Sequence, residues 1–299
     1  MKPPSLIEPL DWPELAPQHS SADALRLDNI HPIISGNKGF KLTEHLRLAA
    51  ASTHTSVITF GGAWSNHLVA TAYATKQAGL PSLGIVRGEQ PFALPATLQE
   101  AAAYGMQLEF ISRRQYAEKD EPHFLQALTD RYPGAYIIPE GGGGLAGIKG
   151  SEAILCKTDA ASYTHIICAL GTGTTWLGLV RAARPEQTVI GVPVLKGIDS
   201  IGAIDHQKWL TPEQTMRASL LTGYHFGGYA RHPQPLLDFM NHLYDETGIP
   251  TDIVYTGKLF YAVRDSLIRH VFPAHSRLLV IHSGGLQGNR SLPPGSLNF

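Results

Sequence analysis

Disulfide frameworks, long apolar runs and an excess of charge of either sign are all missing from this 299-residue sequence. Only two cysteines occur, Cys156 and Cys168, both in apolar surroundings and without C-x-x-C spacing. That excludes a disulfide-stapled or cysteine-zinc scaffold and predicts buried, inert thiols in a reducing cytoplasm. The aliphatic runs at 57–60 and 278–281 are strand-sized, far below the roughly 20 residues of a membrane helix. Prolines and acids in the opening MKPPSLIEPLDWPEL interrupt the apolar core that a signal peptide needs. Lys plus Arg (24) nearly balances Asp plus Glu (25), so no basic field draws nucleic acid or an anionic membrane surface. The 14 histidines are scattered, without H-E-x-x-H or paired ligand spacing, and no metal site is expected. These absences leave a soluble cytoplasmic protein, long enough to bury a large core as one domain or two.

What is present is an alternation. Short β-branched runs bounded by Gly or Pro recur at SVITF (56–60), SLGIV (82–86), AYIIP (135–139), HIICAL (165–170), TVIGVPV (188–194) and RLLVIH (277–282). Between them lie segments of helical period. HLVATAYATKQAG after Asn66 is Ala-rich and ends at a glycine, which predicts a helix starting near Ser65. ALPATLQEAAAYG (93–105) and WLGLVRAARP (176–185) read likewise. Continuous apolar strands alternating with helices mark an α/β fold with parallel sheets covered on both faces. The prolines are spread, and composition shows no domain boundary.

Three glycine-bearing turns, at 60–67, 139–147 and 169–178, follow strands and precede helices. They therefore lie at the C-terminal edge of a parallel sheet, where open α/β folds bind ligands. In LGTGTT, two glycines let the backbone curl and three threonines add hydroxyls at a helix start, which suits a phosphate. The loop has no Walker A lysine, and Trp176 stands where G-x-G-x-x-G requires glycine. An ordinary strand-to-helix turn is the plain alternative. Ser65, Asn66 and His67 bring hydroxyl, amide and imidazole to another helix start, suited to a carboxylate; a simple N-cap is the alternative there. A nucleophilic Ser65 lacks both a G-x-S-x-G elbow and a suitably placed histidine. Lys38 lies in a polar, Gly-flanked segment and reads, by spacing alone, as an ordinary loop lysine. Desolvation or a neighbouring charge such as Lys41 is what would activate it.

Read together, GNKGFKL (36–42), GGAWSNH (61–67), IPEGGGGLAGIKG (138–150), GTGTT (171–175), FGGYA (226–230), VYTGK (254–258) and IHSGG (281–285) form one ordered set. The set resembles the motifs of the 1-aminocyclopropane-1-carboxylate (ACC) deaminase and D-cysteine desulfhydrase family of pyridoxal-phosphate (PLP) enzymes. The resemblance runs from about residue 30 to 287. It implies two open twisted α/β domains of the tryptophan synthase β-like type (PLP fold type II), with PLP in the cleft. The larger domain would comprise 1–43 and 141–299, and the smaller would be inserted at 44–140. It implies further that Lys38 carries PLP as a Schiff base and serves as general base, and that Asn66 bonds the cofactor's 3′-oxygen. Ser65, Asn66 and His67 would hold the substrate carboxylate. Gly171, Thr172, Gly173, Thr174 and Thr175 would bind the phosphate, and Ser283 would face the pyridine nitrogen. Tyr229 and Tyr255 match the family's active-site tyrosines.

Some positions depart from the family's pattern. Thr256 stands where ACC deaminases carry Glu, and resembles the desulfhydrase side; it is taken as a substrate-binding position. Phe40, His67 and Ala230 also differ from the usual Arg, Gln and Gly. The resemblance thus implies a PLP-dependent lyase or deaminase, β-eliminating from a D-cysteine-like substrate and hydrolysing the product imine to a 2-oxo acid. ACC ring opening, β-replacement or racemisation on the same scaffold, and a non-catalytic PLP or amino-acid binding protein are the alternatives. A homodimer acting on a small amino acid, with neither nucleic acid nor membrane as partner, completes the expectation.

Overall fold

Alternating strands and helices account for most of the chain in the computed structural model, which describes residues 6–299. The strands are β1 (Ile7–Pro9), β2 (Ser21–Arg26), β3 (Ser56–Gly61), β4 (Ser82–Arg87), β5 (Met106–Ile111), β6 (Ala135–Ile138), β7 (His165–Leu170), β8 (Thr188–Pro193), β9 (Ala218–Leu220) and β10 (Arg277–His282). The helices are α1 (Asn37–Ala51), α2 (Asn66–Gln77), α3 (Ala96–Ala103), α4 (Arg113–Ala117), α5 (Pro122–Arg131), α6 (Gly144–Glu152), α7 (Thr174–Ala182), α8 (Pro212–Thr215), α9 (Gln234–Thr247) and α10 (Thr256–Ile268). None of the described helices is long and apolar enough to cross a membrane, and the described residues hold no cluster of metal-ligating type.

Two sheets organise these elements. One has the order β1-β2-β10-β7-β8-β9, with only β1 antiparallel to its neighbour; the other, β5-β4-β3-β6, is wholly parallel. The chain divides accordingly into two compact units, one ending at Asn37 and resuming with Ser151–Phe299, the other Lys38–Gly150. The crossings lie at 37/38 and 150/151 rather than at 43/44 and 140/141. The first falls at the start of α1, so that α1 goes with the smaller unit, and the second lies near the end of α6. In the larger unit, Ile167, Ala169, Val192, Leu278 and Val280 pack with Leu259, Phe260 and Val263 of α10 in one buried cluster. In the smaller, Ile58, Phe60, Leu83 and Ile85 pack with Tyr116 and Leu128. Strands buried on both faces have to be apolar throughout, which is why β3, β4, β7, β8 and β10 stood out as continuous runs, joined by the apolar but partly exposed edge strand β6.

Four strands escaped that criterion: the three-residue β1 and β9, and the longer β5 and β2. β5 (MQLEFI) alternates apolar with polar residues, the period-two pattern of a sheet edge, and it is an edge strand. β2 (SADALR) pairs with β10 inside the larger sheet although its alanines and aspartate have weak strand preference. Cys168 is buried as expected, whereas Cys156 is exposed; it lies on the 3₁₀ turn Ala153–Lys157, whose apolar side is taken by Ile154 and Leu155.

The shared C-terminal end of β2 and β10 is fixed by a buried charge network. Arg26 forks onto Asp28 (Nε 3.0 Å, Nη2 2.7 Å) and donates to Glu8 (2.6 Å). His282 Nδ1 lies 2.9 Å from Asp28 Oδ1, and its Nε2 donates to Pro250 O at 2.7 Å. Burial alone would raise the Asp28 carboxyl, but His282 and Arg26 hold it well below the usual carboxylate range. Asp28→Asn removes the buried carboxylate that Arg26 and His282 share and leaves Arg26 only the partly exposed Glu8, so it is expected to cost about 3–5 kcal/mol. Urea unfolding at neutral pH measures it, and a loss below about 1 kcal/mol would mean that the network contributes little to stability.

Candidate active site

In the smaller unit the site residues come from the first turns of α1 and α2 and from the glycine loop after β6. Lys38 is in the first turn of α1, not in a loop, because the helix starts one residue earlier at Asn37. Lys41 and His45 follow at spacings that place them on the same helix face. Both reach the glycine loop: Lys41 Nζ donates to Gly141 O (3.2 Å) and His45 Nε2 to Gly143 O (3.0 Å). His45 Nδ1 is then an acceptor, and Tyr136 Oη donates to it at 3.0 Å. Burial pushes the His45 pKa down, in keeping with this neutral ring.

Ser65 caps α2, its Oγ accepting from Leu68 N at 3.4 Å, and Asn66 and His67 open the helix. Free N–H groups of such a helix start suit a carboxylate. His67 itself is buried, and its state follows from Thr59. Thr59 Oγ1 donates its one proton to Ile138 O (3.0 Å), so at its 2.8 Å contact with His67 Nε2 the ring is the donor. His67 Nδ1 is therefore a lone-pair acceptor, and it is buried without a hydrogen-bond partner. Desolvation, followed by the charges of Lys38, Lys41 and His45, pushes the His67 pKa well below its ordinary value. His67 is thus a neutral ring and brings no positive charge to a carboxylate.

In the larger unit, the turns after the neighbouring parallel strands β7 and β10 leave the same sheet edge. The first is the 171–175 loop. Thr172 and Thr174 bring their hydroxyls within 3.2 Å of each other at the start of α7. The ring of Tyr255 covers Gly171 so closely that a Cβ there would stand 3.1 Å from Cε1. This donor set, hydroxyls and N–H groups at a positive helix end, matches the chemistry of a phosphate. The second turn holds Ser283, which is buried. Gly36, at φ +72°, lies against it: a Cβ on Gly36 would be 1.8 Å from Ser283 O. Asn37 ties the two turns together, its N–H donating to Ser283 O (3.1 Å) and its Nδ2 to Thr175 Oγ1 (2.8 Å).

Tyr229 is half exposed on a glycine turn. Thr256 departs from expectation. It is fully buried, and its hydroxyl donates to Asp252 Oδ1 (2.7 Å) while accepting from Asp252 N (2.7 Å). The Asp252 carboxylate also accepts from the N–H groups of Val254, Tyr255 and Thr256 at 2.8–3.0 Å. Thr256 therefore caps α10 with Asp252, and this corrects the reading of it as a substrate contact. Asn37, His45 and Asp252 were not foreseen. The spacing of His45 from Lys38 was the one available signal, since the roles of Asn37 and Asp252 depend on contacts remote in sequence or on main-chain geometry.

A family model described as "Pyridoxal-phosphate dependent enzyme" matches residues 8–284. A protein of Thermotoga maritima, provisionally named 1-aminocyclopropane-1-carboxylate deaminase, is 30% identical over 85% of this chain and 85% of its own. The bifunctional D-cysteine desulfhydrase/1-aminocyclopropane-1-carboxylate deaminase, mitochondrial, of Arabidopsis thaliana is 27% identical over 85% of this chain and 70% of its own. Among solved structures, an ACC deaminase homologue superposes with a TM-score of 0.80 at 24% identity, covering 95% of this chain and 90% of that one. A hydrogen sulfide-producing enzyme of Fusobacterium nucleatum gives 0.69 at 14% identity, with 97% of each chain covered. At these identities the two structures show the fold.

The neutral histidines make the smaller unit sensitive to acid. Folding lowers the pKa of His67 and His45, so above the unfolded value of about 6.5 neither state binds the protons and stability is unaffected. As the pH falls below that value the unfolded chain binds them first, and each costs up to about 1.4 kcal/mol per pH unit until the folded value is reached. Thermal melts from pH 7.5 down to 5 are expected to fall more steeply for the wild type than for His67→Gln. Parallel curves would refute the neutral-ring assignment.

Proposed function

Since the chain belongs to the pyridoxal-phosphate-dependent enzymes, we propose that it is a D-cysteine desulfhydrase-like lyase. The net reaction takes D-cysteine and water to pyruvate, ammonia and hydrogen sulfide: the Cα–H and Cβ–S bonds break, and water replaces the nitrogen at C2. PLP, when bound, supplies the electron sink for the electron pair left at Cα. The chain's residues do the rest. The Lys38 amine anchors the cofactor and, once displaced by the substrate, takes the α-proton as general base. The start of α2, with Ser65 and Asn66, holds the substrate carboxylate by N–H, hydroxyl and amide groups. His67, being neutral, contributes shape and an acceptor nitrogen rather than charge. The 171–175 loop would hold the phosphate, Ser283 would offer the pyridine ring a neutral hydroxyl, and Tyr229 and Tyr255 would add phenols.

The observation that carries this choice is Thr256. The position that resembles a glutamate in ACC deaminases holds a buried hydroxyl engaged on both sides by Asp252, and so offers a substrate neither acid nor base. Loss of a thiol from Cβ needs only α-proton removal and a leaving group, whereas opening a cyclopropane that has no α-hydrogen demands an additional placed group. Ring opening of ACC to 2-oxobutyrate and ammonia is the second reading, supported by the name of the Thermotoga relative. A cytoplasmic homodimer completes the proposal, the compartment resting on the sparse cysteines and the dimer on the family likeness; light scattering at twice the chain mass tests the latter.

The purified protein incubated with PLP is expected to absorb at the edge of the visible, and borohydride to bleach it and fix the cofactor on the peptide containing Lys38. Lys38→Ala should remove the reducible adduct and lower kcat on the order of 10³-fold. D-cysteine should yield pyruvate and sulfide at a kcat/KM above that for 2-oxobutyrate release from ACC. The reverse order would favour the second reading, and the absence of any reducible adduct would sink both.

A further inference from the structure

Lys258 closes the VYTGK motif, and no step of the proposed reaction uses it. It lies in the first turn of α10, three residues after Tyr255, and is fully buried. A cation at a helix N-terminus opposes the helix dipole, and no carboxylate pairs with this one among the described residues. Its Nζ points instead at main-chain oxygens: Gly228 O at 2.7 Å, His225 O at 2.9 Å and Val194 O at 3.5 Å. The first two belong to the turn that carries Tyr229. That turn is strained, for Phe226 (φ +51°), Gly227 (+94°), Gly228 (+115°) and Ala230 (+53°) all adopt left-handed backbone, and two of them are not glycine. The two non-glycine residues, Phe226 and Ala230, are strained in that region, and such strain persists where the surroundings over-determine it. Burial pushes the Lys258 ammonium down to about 8, against the raising effect of Asp252; a buried charge that offsets neither of these costs locally is explained by the turn it holds.

We propose that Lys258 is a positioning residue whose ammonium clamps the 225–230 turn in its left-handed conformation and so fixes Tyr229 with respect to Tyr255. All of these residues lie in the larger unit. The clamp deepens the proposed function, on which the significance of the two tyrosines rests, but its physical content is independent of the substrate.

The test is amide hydrogen exchange on the PLP-loaded enzyme. In Lys258→Met, exchange across 225–231 is expected to rise at least about tenfold while 277–282, in the centre of the sheet, stays unchanged. Ala230→Gly relieves a left-handed alanine, so it should restore part of the protection in the Lys258→Met background and change little in the wild type, where the turn is already held. Unchanged exchange at 225–231, an equal rise at 277–282, or no restoration by Ala230→Gly would each overturn the clamp. If Lys258→Met does not fold, Lys258→Gln is measured in its place, with a smaller rise confined to the same segment as the supporting result. Failure of both to fold would show that the ammonium holds the whole unit and not this turn, which also overturns the proposal. No turnover is needed, so the D-cysteine reading can fail while the clamp stands, and the reverse.

Discussion

Gly36 and the carbonyl of Ser283 approach so closely that no side chain fits between them, and the geometry of the sheet edge that carries the turns after β7 and β10 depends on that contact. It is what lets Asn37 donate at once to Ser283 O and to Thr175 Oγ1, so that the turns after β10 and β7 are set by a single residue. Behind the contact stands the Asp28–His282 pair with Arg26. It fastens the ends of β2 and β10, the strands from which the two sides of the contact emerge. A buried ion pair is weak evidence for stability in itself. Here its geometric consequence is plain: Ser283 is the next residue after His282, and its carbonyl can receive Asn37 only where β10 ends in register with Arg26.

Much of this was legible in the sequence, for reasons that can be given element by element. β3, β4, β7, β8 and β10 are buried on both faces and had to be written as unbroken apolar runs, so pattern alone finds them. β5 was equally legible, since M-Q-L-E-F-I alternates as an edge strand should, but a search for continuous runs passes over it. β2 was not, because Ala and Asp occupy it for reasons of tertiary packing. The phosphate-type loop could be read from Gly and Thr at a helix start, which is local chemistry. Lys38 could not be read alone; it gained meaning from the ordered motifs, and its place in the first turn of α1 became visible only with the helix boundary. Cys156 shows the opposite failure, in which an apolar neighbourhood in sequence did not translate into burial on a short 3₁₀ turn.

Histidine charge was the least legible property. His67 and His45 lie near Lys38 and Lys41 in an arrangement that looks strongly cationic on paper. The hydrogen bonds settle otherwise: Thr59 takes the Nε2 proton of His67, and Gly143 and Tyr136 fix a neutral tautomer on His45. Burial and the neighbouring ammonium groups act in the same direction. The turn that opens α2 thus offers helix N–H groups, and the imidazoles beside it are neutral. His282 instead has a carboxylate 2.9 Å from Nδ1, where the Gly284 N–H also approaches, and donates from Nε2 to the Pro250 carbonyl. The same residue type thus meets different partners in the two units.

Position 256 makes a related point about specificity. A single residue there differs between this chain and the ACC deaminases it resembles, which invites a one-letter explanation of substrate choice. Yet Thr256 is coupled to Asp252 through two hydrogen bonds, and Asp252 also gathers the N–H groups that begin α10. Glutamate at 256 in this setting would bring a second carboxylate against the first in a fully buried site, and would remove a hydroxyl that both donates and accepts. Like charges so placed cannot both ionise without a large shift. The identity of residue 256 is therefore inseparable from that of residue 252, and the orientation of Tyr255, immediately before it, is inseparable from both. A substitution at 256 therefore acts on the whole α10 cap and not on one side chain.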